Sequence, residues 1–276
     1  MMALRSSSIA TYLECPRKAH YVYIEGRRGR TVPAMAIGTM AHAGVESLLR
    51  SKMRGADGID AALCASSVEP DGVDWAGQDG ERVHAADRAS AMVRTYAAEV
   101  APSVTPIDAE RRIETRLGGV PVSGTIDVVE PLRIRDTKTT RRSPTLWGDP
   151  KHRFQLGLYA ALVESACFDC DPKTAVIDYL VLSERKPRAT KAVPDPAIER
   201  TVRYLPVVLD EADLHAEKMS SMVVLADVAR RAAAGEYPRN PLACTSWLRA
   251  CEFLSECYPE RFRVASAVVL DEVGNG

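Results

Sequence analysis

The sequence predicts an α/β fold, with α+β as its neighbouring alternative, in one domain. Three observations point there. "RRIETRL" alternates apolar and charged residues and is answered across Gly118-Gly119 by "VPVSGTIDVVE", the pattern of a β-hairpin. "HRFQLGLYAALVESA" follows the next strand candidate directly and has apolar residues at helical spacing. Helical periodicity also fills much of the first hundred residues and residues 211–234, so strands and helices are mixed along one chain.

In order along the chain, Ser8 is placed to cap a helix that carries Ile9, Tyr12 and Leu13 on one face. Pro16 disfavours helical geometry at Cys15, which puts that cysteine at a helix end, and a second helical stretch runs from Pro16 towards Gly26. Met40 to Met53 reads as a helix with His42, Val45 and Leu49 on one face. Residues 54–80, rich in Gly and Asp, read as a loop, and Arg82 to Val100 as an Ala-rich helix ended before Pro102. After the hairpin, "LRIRDTKTT" is a third strand, "AVIDYLVLSE" a buried strand, and "EADLHAEKMSSMVVLADVARRAAAG" a long helix closed by Gly235. The domain reading is a single unit over 1–262, with the loop at 54–80, a cysteine segment at 240–258 and a tail at 263–276.

Of 276 residues, 46% are hydrophobic and 26% charged, and the net charge of -1 neither demands nor excludes a polyanionic partner. Basic residues cluster in "RRGR", "TKTTRR" and "SERKPR". Such clusters are usually solvated loops, but Arg28, Arg141 and Arg185 are expected to share a face and so form a phosphate track. No apolar run is long enough for a membrane span and no secretory h-region opens the chain, so no membrane partner and a cytoplasmic setting are expected. Seven cysteines, an odd number without a signal, argue against a disulfide framework and for reduced thiols available to metal.

The chemistry concentrates in "GTIDVVEPLRIRDTKTT". Asp136 and Lys138 are two apart on a strand and project from one face, and a hairpin pairing brings Asp127 to join them. Two carboxylates beside an ammonium suit a Mg²⁺ or Mn²⁺ ion that polarises a phosphodiester, with the lysine orienting or deprotonating the attacker. The bare Asp-x-Lys alone is more often a surface salt bridge. Gln155 and Tyr159, at i and i+4 on the helix after the third strand, bring an amide and a phenol to the same place. His42 on its apolar helix face is by itself more often a satisfied core residue than a ligand. Glu46 and Glu114 are further acids without a motif. Near the other end, Cys244, Cys251 and Cys257 form an incomplete set of thiolates, since zinc and iron–sulfur clusters usually take four protein ligands.

"SSSIATYLECPRKAHY", "IGTMAH", "GTIDVVEPLRIRDTKT" and "QLGLYA" resemble, in order, the motifs of RecB-like nucleases of the PD-(D/E)XK superfamily, over roughly residues 6–258. The iron–sulfur exonucleases of that group, phage-encoded and CRISPR-adaptation members among them, are similar in their cysteines. The resemblance implies a restriction-endonuclease-like core: a central mixed sheet flanked by helices, with an iron–sulfur staple joining the N- and C-terminal segments. It implies His42, Asp127 and Asp136 as metal ligands, Lys138 as the catalytic lysine, and Gln155 with Tyr159 as its support and DNA contact. Cys15 resembles the fourth ligand that would complete a [4Fe–4S] cluster with Cys244, Cys251 and Cys257. Six residues separate Cys244 from Cys251 where many relatives have a tight Cys-x-x-Cys, so zinc or a partly occupied site stays open. Cys64, and Cys167 with Cys170, read as unliganded thiols. The implied activity is a metal-dependent DNA exonuclease acting on single-stranded ends in recombination, repair or phage DNA metabolism, with a recombination, helicase or CRISPR-adaptation partner. The alternatives are a catalytically weak DNA-end-binding or CRISPR-adaptation accessory protein of the same fold, and, more distantly, an unrelated zinc protein.

Overall fold

A computed structural model describes residues 3–27, 31–76, 79–166, 170–185, 197–244 and 250–259. Its centre is a five-stranded mixed sheet of order β1-β2-β3-β4-β5. The strands are β1 (Asp108–Leu117), β2 (Val120–Glu130), β3 (Arg133–Thr140), β4 (Thr174–Arg185) and β5 (Glu199–Leu209). β1 and β2 form the expected hairpin, with Gly118 and Gly119 at φ +56 and +82, angles that a side chain would strain. β3 and β4 run parallel, Lys138 opposite Tyr179, which requires a crossover. The crossover is the helix Pro150–Ser165, α7 in the chain order that runs α1 (Ser6–Glu14), α2 (Pro16–Ala19), α3 (Pro33–Met53), α4 (Ile59–Ala65), α5 (Asp79–Val83), α6 (Ala85–Thr95) ahead of the sheet. After β5 come α8 (Glu211–Ala233) and α9 (Leu254–Cys257).

Several elements differ from the sequence expectation, each for a local reason. α1 begins at Ser6, so Ser8 is buried within the helix rather than capping it. α3 begins at Pro33, seven residues before Met40. Proline pre-sets the first turn, and Gly38, which reads as a breaker, lets the helix approach β3, since a Cβ there would stand 3.1 Å from Thr139 Oγ1. The stretch read as a loop contains α4, which packs with α3 and α6 through Ala62 in the core. Asp79 to Val100 is two helices, α5 and α6, followed by a π-helical turn. β5 was not anticipated: Pro206 interrupts its pattern, and a proline is tolerated because β5 is an edge strand.

The chain divides into two compact units, Met1–Ser6 with Arg30–Leu225, and Ser7–Gly29 with Ala226–Gly276. In the first, Ile37, Met40, Val45 and Leu49 of α3 meet Met92 and Val93 of α6 and Leu180 and Leu182 of β4 in one core. Arg135 is buried on the sheet and bonds Glu130 at 2.7 Å and Asp178 at 3.1 Å, while Tyr204 donates to Asp178 at 2.8 Å. Each buried charge is therefore partnered, which its burial requires, and β2, β3, β4 and β5 are pinned where β2 and β3 begin to part. α7 and the first part of α8 touch backbone to backbone at Gly157, where a Cβ would fall 2.5 Å from the Glu217 carbonyl group. Gly157→Ala should therefore cost about 1–3 kcal/mol by overpacking, read as a lower midpoint in urea unfolding; an unchanged midpoint would show that the helices shift freely. In the second unit, the Arg17 amide donates to the Pro238 carbonyl at 3.1 Å and the Asn240 side chain to the Glu14 carbonyl at 2.7 Å. Tyr12 and His20 both pack edge-on against Tyr237.

Candidate active site

β2 and β3 pair only between Val128–Glu130 and Arg133–Arg135, while β3 stays on β4 as far as Thr140. The two strands therefore part at Asp127, and its Oδ2 accepts the Thr137 backbone N–H at 2.7 Å in place of a ladder partner. Asp136 and Lys138 share a face, as their spacing requires. Lys138 Nζ donates to Asp136 Oδ1 at 2.9 Å and lies 2.8 Å from Oδ2. Asp136 is fully buried, and both of its carboxylate oxygens face the Lys138 ammonium, the partner that its burial requires.

From α3, four residues beyond Gly38, His42 turns the same helix face to the fork. Its Nδ1 is 3.4 Å from Asp127 Oδ2 and 3.8 Å from Glu110 Oε1. Ligand atoms of His42, Glu110 and Asp127 all lie within 4.8 Å of one another. Glu110 is the acid that sequence reasoning missed. β1 pairs with β2 on either side of it, at Ala109 and Arg111, but Glu110 itself has φ +52, an uncommon conformation for a non-glycine residue that re-aims its side chain. In sequence it looks like one more charge in an alternating strand. Glu46 and Glu114 instead bond Arg50 and Arg112 at the surface.

α7 starts at an Asp149 cap, whose side chain accepts the Lys151 amide at 2.8 Å. It carries Gln155, which donates to the Tyr159 hydroxyl at 2.7 Å. The Tyr159 ring fits against β2 because residue 124 is glycine; a Cβ there would be 2.9 Å from the ring. Burial raises the Tyr159 pKa, as do the Asp136 and Asp127 carboxylates, so the phenol remains a proton donor. Two further residues went unread in the sequence. The Tyr179 hydroxyl, beside Lys138 in the register, accepts the Asp149 amide at 3.1 Å and lies 2.8 Å from His152 Nδ1. Burial, together with the charge of Lys138, lowers the His152 pKa and keeps that ring neutral.

Burial pushes the carboxyls of Asp127 and Asp136 up, against His42 and Lys138 for the first and chiefly Lys138 for the second. Burial alone would lower His42, but the Asp127 carboxylate and the hydrogen bond it donates to Glu110 bring it up to about 9. Lys138 is likewise raised, the two aspartates outweighing its burial. Without metal, then, His42 and Lys138 are both cations among three carboxylates. A hard divalent ion that takes the place of the His42 proton suits this mixed oxygen and imidazole set. Its binding must release that proton, so Mn²⁺ affinity should rise by up to about tenfold per pH unit towards pH 9. His42→Ala should flatten that slope, and Asp127→Asn should weaken binding at every pH. Titration calorimetry showing the wild-type slope in His42→Ala would remove the histidine from the site.

The basic segments are not brought onto one track. Arg141 bonds Glu184 and Glu81 at 3.2 and 3.3 Å, whereas Arg185 pairs with Glu199. Successive residues Glu184 and Arg185 point to opposite faces of β4, so Arg141 and Arg185 reach opposite faces; Arg28 lies outside the described residues. In the second unit, Cys15, Cys244, Cys251 and Cys257 line one pocket together with Lys18, Arg239 and Tyr258. No three of these sulfurs lie within 4.8 Å of one another. Cys64 is exposed, and Cys170 is buried and donates to the Glu130 carbonyl at 2.9 Å. Cys167 and the expected tail at 263–276 lie outside the described residues.

Comparison with known proteins agrees with this geometry. No curated protein matches the chain. Among solved structures, a candidate exonuclease from Eubacterium rectale is similar with a TM-score of 0.51 and 12% identity, over 92% of this chain and 87% of that chain. At that identity the likeness concerns the fold: a mixed sheet flanked by helices, of the restriction-endonuclease type. The family model of the PD-(D/E)XK nuclease superfamily matches residues 5–258, nearly the whole length. Taken with the fork that holds Asp127, Asp136 and Lys138 on one sheet, this settles the family: the chain belongs to the PD-(D/E)XK nuclease superfamily.

Proposed function

We propose that the protein is a Mg²⁺- or Mn²⁺-dependent DNA exonuclease that hydrolyses phosphodiester bonds at ends with single-stranded character. The observation that carries this is the meeting of His42, Glu110 and Asp127 where β2 and β3 part, with the buried Asp136–Lys138 pair on the adjoining strand. Asp127, Asp136 and His42, with Glu110 beside them, would hold the ion, which when bound supplies Lewis-acid stabilisation of charge on the phosphoryl oxygens. Lys138, kept as an ammonium by two carboxylates, holds the attacking water by its hydrogen bond and stabilises negative charge as it develops. Gln155 donates its amide to the Tyr159 hydroxyl, and Tyr159 is near enough to the Asp136 and Asp127 carboxylates to feel their charge. His152 stays neutral at the edge of the site and offers a hydrogen bond without competing for the cation.

The four cysteines would hold a [4Fe–4S] cluster with a structural role. All four line one pocket, which supports a shared group. Reduced thiols of this kind suit a cytoplasmic protein that processes DNA ends in recombination, repair or phage DNA metabolism.

End-labelled single strands, blunt duplexes and circular single strands, each incubated with Mg²⁺ or Mn²⁺, test the reading. Progressive shortening of the linear single strand, with the circle intact and Asp136→Asn inactive, is expected. Cutting of the circle would make the enzyme an endonuclease, and no cleavage of any substrate with either ion would refute the enzyme.

A further inference from the structure

The segment between β3 and α7 ends in a tight turn, Thr145 to Gly148, that shows two large apolar side chains to solvent. The Gly148 amide donates to the Thr145 carbonyl at 2.9 Å, and the Thr145 hydroxyl returns a bond to the Gly148 carbonyl at 3.1 Å. Gly148 takes φ +77, so the turn depends on a glycine there. At its two central positions Leu146 is 101% and Trp147 67% exposed. Singly exposed apolar residues are ordinary, but Trp147 is held in place. The Arg153 guanidinium lies 4.2 Å from the Trp147 ring centroid. Arg153 is itself buried, and Glu217 and Asp213 fix it at 2.7 and 3.4 Å. One ring face is thus covered by a cation and the other is left open, a flat apolar surface on which a nucleobase can stack.

The base of the turn rests on β4 and β5, against Ile177, Val207 and Tyr179. A Cβ at Gly148 would stand 3.6 Å from the Tyr179 hydroxyl, which also takes the Asp149 amide. Tyr179 in turn lies beside Lys138 across the β3–β4 register. Trp147 stands two residues before the Asp149 cap, its ring on Arg153 towards α8, and Lys151 in the first turn of the following helix is exposed. We propose that Leu146 and Trp147 form a stacking platform for unpaired bases of the DNA strand whose phosphodiester is at Asp136 and Lys138. This inference rests on the nuclease reading and deepens it: bases inside a duplex hide their faces, so the platform selects a single-stranded or frayed end. A ring immobilised before binding loses little freedom on engaging a base, which raises affinity without new charge.

Binding measured without metal, so that no turnover intervenes, tests it. The ligands are a labelled single-stranded 12-mer, the same 12-mer with one abasic nucleotide moved along it, and a blunt 12-bp duplex. Trp147→Ala should weaken single-strand binding by about tenfold or more, Leu146→Ala/Trp147→Ala further, and Trp147→Phe much less. Duplex binding should change less than twofold. One abasic position should reproduce the loss in the wild type and add nothing in Trp147→Ala. The wild-type to Trp147→Ala ratio should be the same at 50 and 200 mM salt, as expected of a contact that neutralises no phosphate. Unchanged single-strand binding in Trp147→Ala, or an equal loss for duplex and single strand, would overturn the platform. These readings are independent of cleavage: a wild type that cuts no DNA with Mg²⁺ or Mn²⁺ refutes the nuclease assignment, whereas one that cuts while Trp147→Ala binds normally refutes the platform alone.

Discussion

Lys138→Ala is expected to lower single-turnover cleavage by about 10²–10³-fold, the loss typical of removing one donor aimed at developing charge, while DNA binding stays within a few-fold. The expectation follows from where the ammonium sits. It touches both oxygens of Asp136, at 2.9 and 2.8 Å, and points into the fork rather than out along the surface. A group that acts mainly on the transition state changes turnover more than affinity. A second consequence separates catalysis from folding. Removing Lys138 strips the fully buried Asp136 of its counter-ion, and a buried charge without its partner is destabilising. The metal-free variant should therefore melt below the wild type. Saturating Mn²⁺ should restore much of the stability, because the ion replaces the lost charge, and should not restore the rate. A variant that regains both with Mn²⁺ would show that Lys138 only balances charge, and cleavage within a few-fold of wild type would remove it from the mechanism.

What could be read in the sequence, and what could not, divides along physical lines. β1 and β2 were legible from their alternation and the Gly118-Gly119 turn, β4 from a short apolar run buried on both faces, and α7 from apolar residues at helical spacing. The Asp136–Lys138 pair and the Gln155–Tyr159 pair were legible because both depend on local spacing, two in a strand and four in a helix. β5 was hidden by Pro206, which an edge strand accepts, and the start of α3 by Gly38, whose missing side chain serves a contact with a strand a hundred residues away. Glu110 was hidden because its role depends on one backbone angle, and Tyr179 because its place beside Lys138 exists only once the parallel register is set. The expectation of a shared basic track failed for a similar reason. Arg141 is consumed by Glu81 and Glu184, and a run of charges does not reveal the carboxylates that the fold will bring to it.

Serine at Cys15, Cys244, Cys251 or Cys257 should each cost the protein its colour and much of its iron. Protein purified without oxygen should be brown and carry about four iron and four sulfide per chain, the composition of a four-thiolate cluster. All four cysteines line one pocket although Cys15 is more than two hundred residues from the rest, so each closes the same long loop between the ends of the chain. Closing such a loop acts on the unfolded chain as a disulfide would, a term of about 2–5 kcal/mol, so each variant should lose about 5–15 °C in melting temperature. The loss should stop short of unfolding the unit, because the Arg17–Pro238 and Asn240–Glu14 bonds and the packing of Tyr12 and His20 on Tyr237 join the same two segments without metal. Cys64→Ser and Cys170→Ser are the controls. The first thiol is exposed, and the second already has a carbonyl partner that a serine hydroxyl can keep, so neither should change colour or iron content. Hydrolysis of a phosphodiester transfers no electrons, so reducing or oxidising the intact cluster should leave the cleavage rate unchanged. Colourless protein with stoichiometric zinc would replace the cluster and keep the loop closure, and iron lost from Cys170→Ser as readily as from Cys15→Ser would mean that a different set of thiols holds the metal.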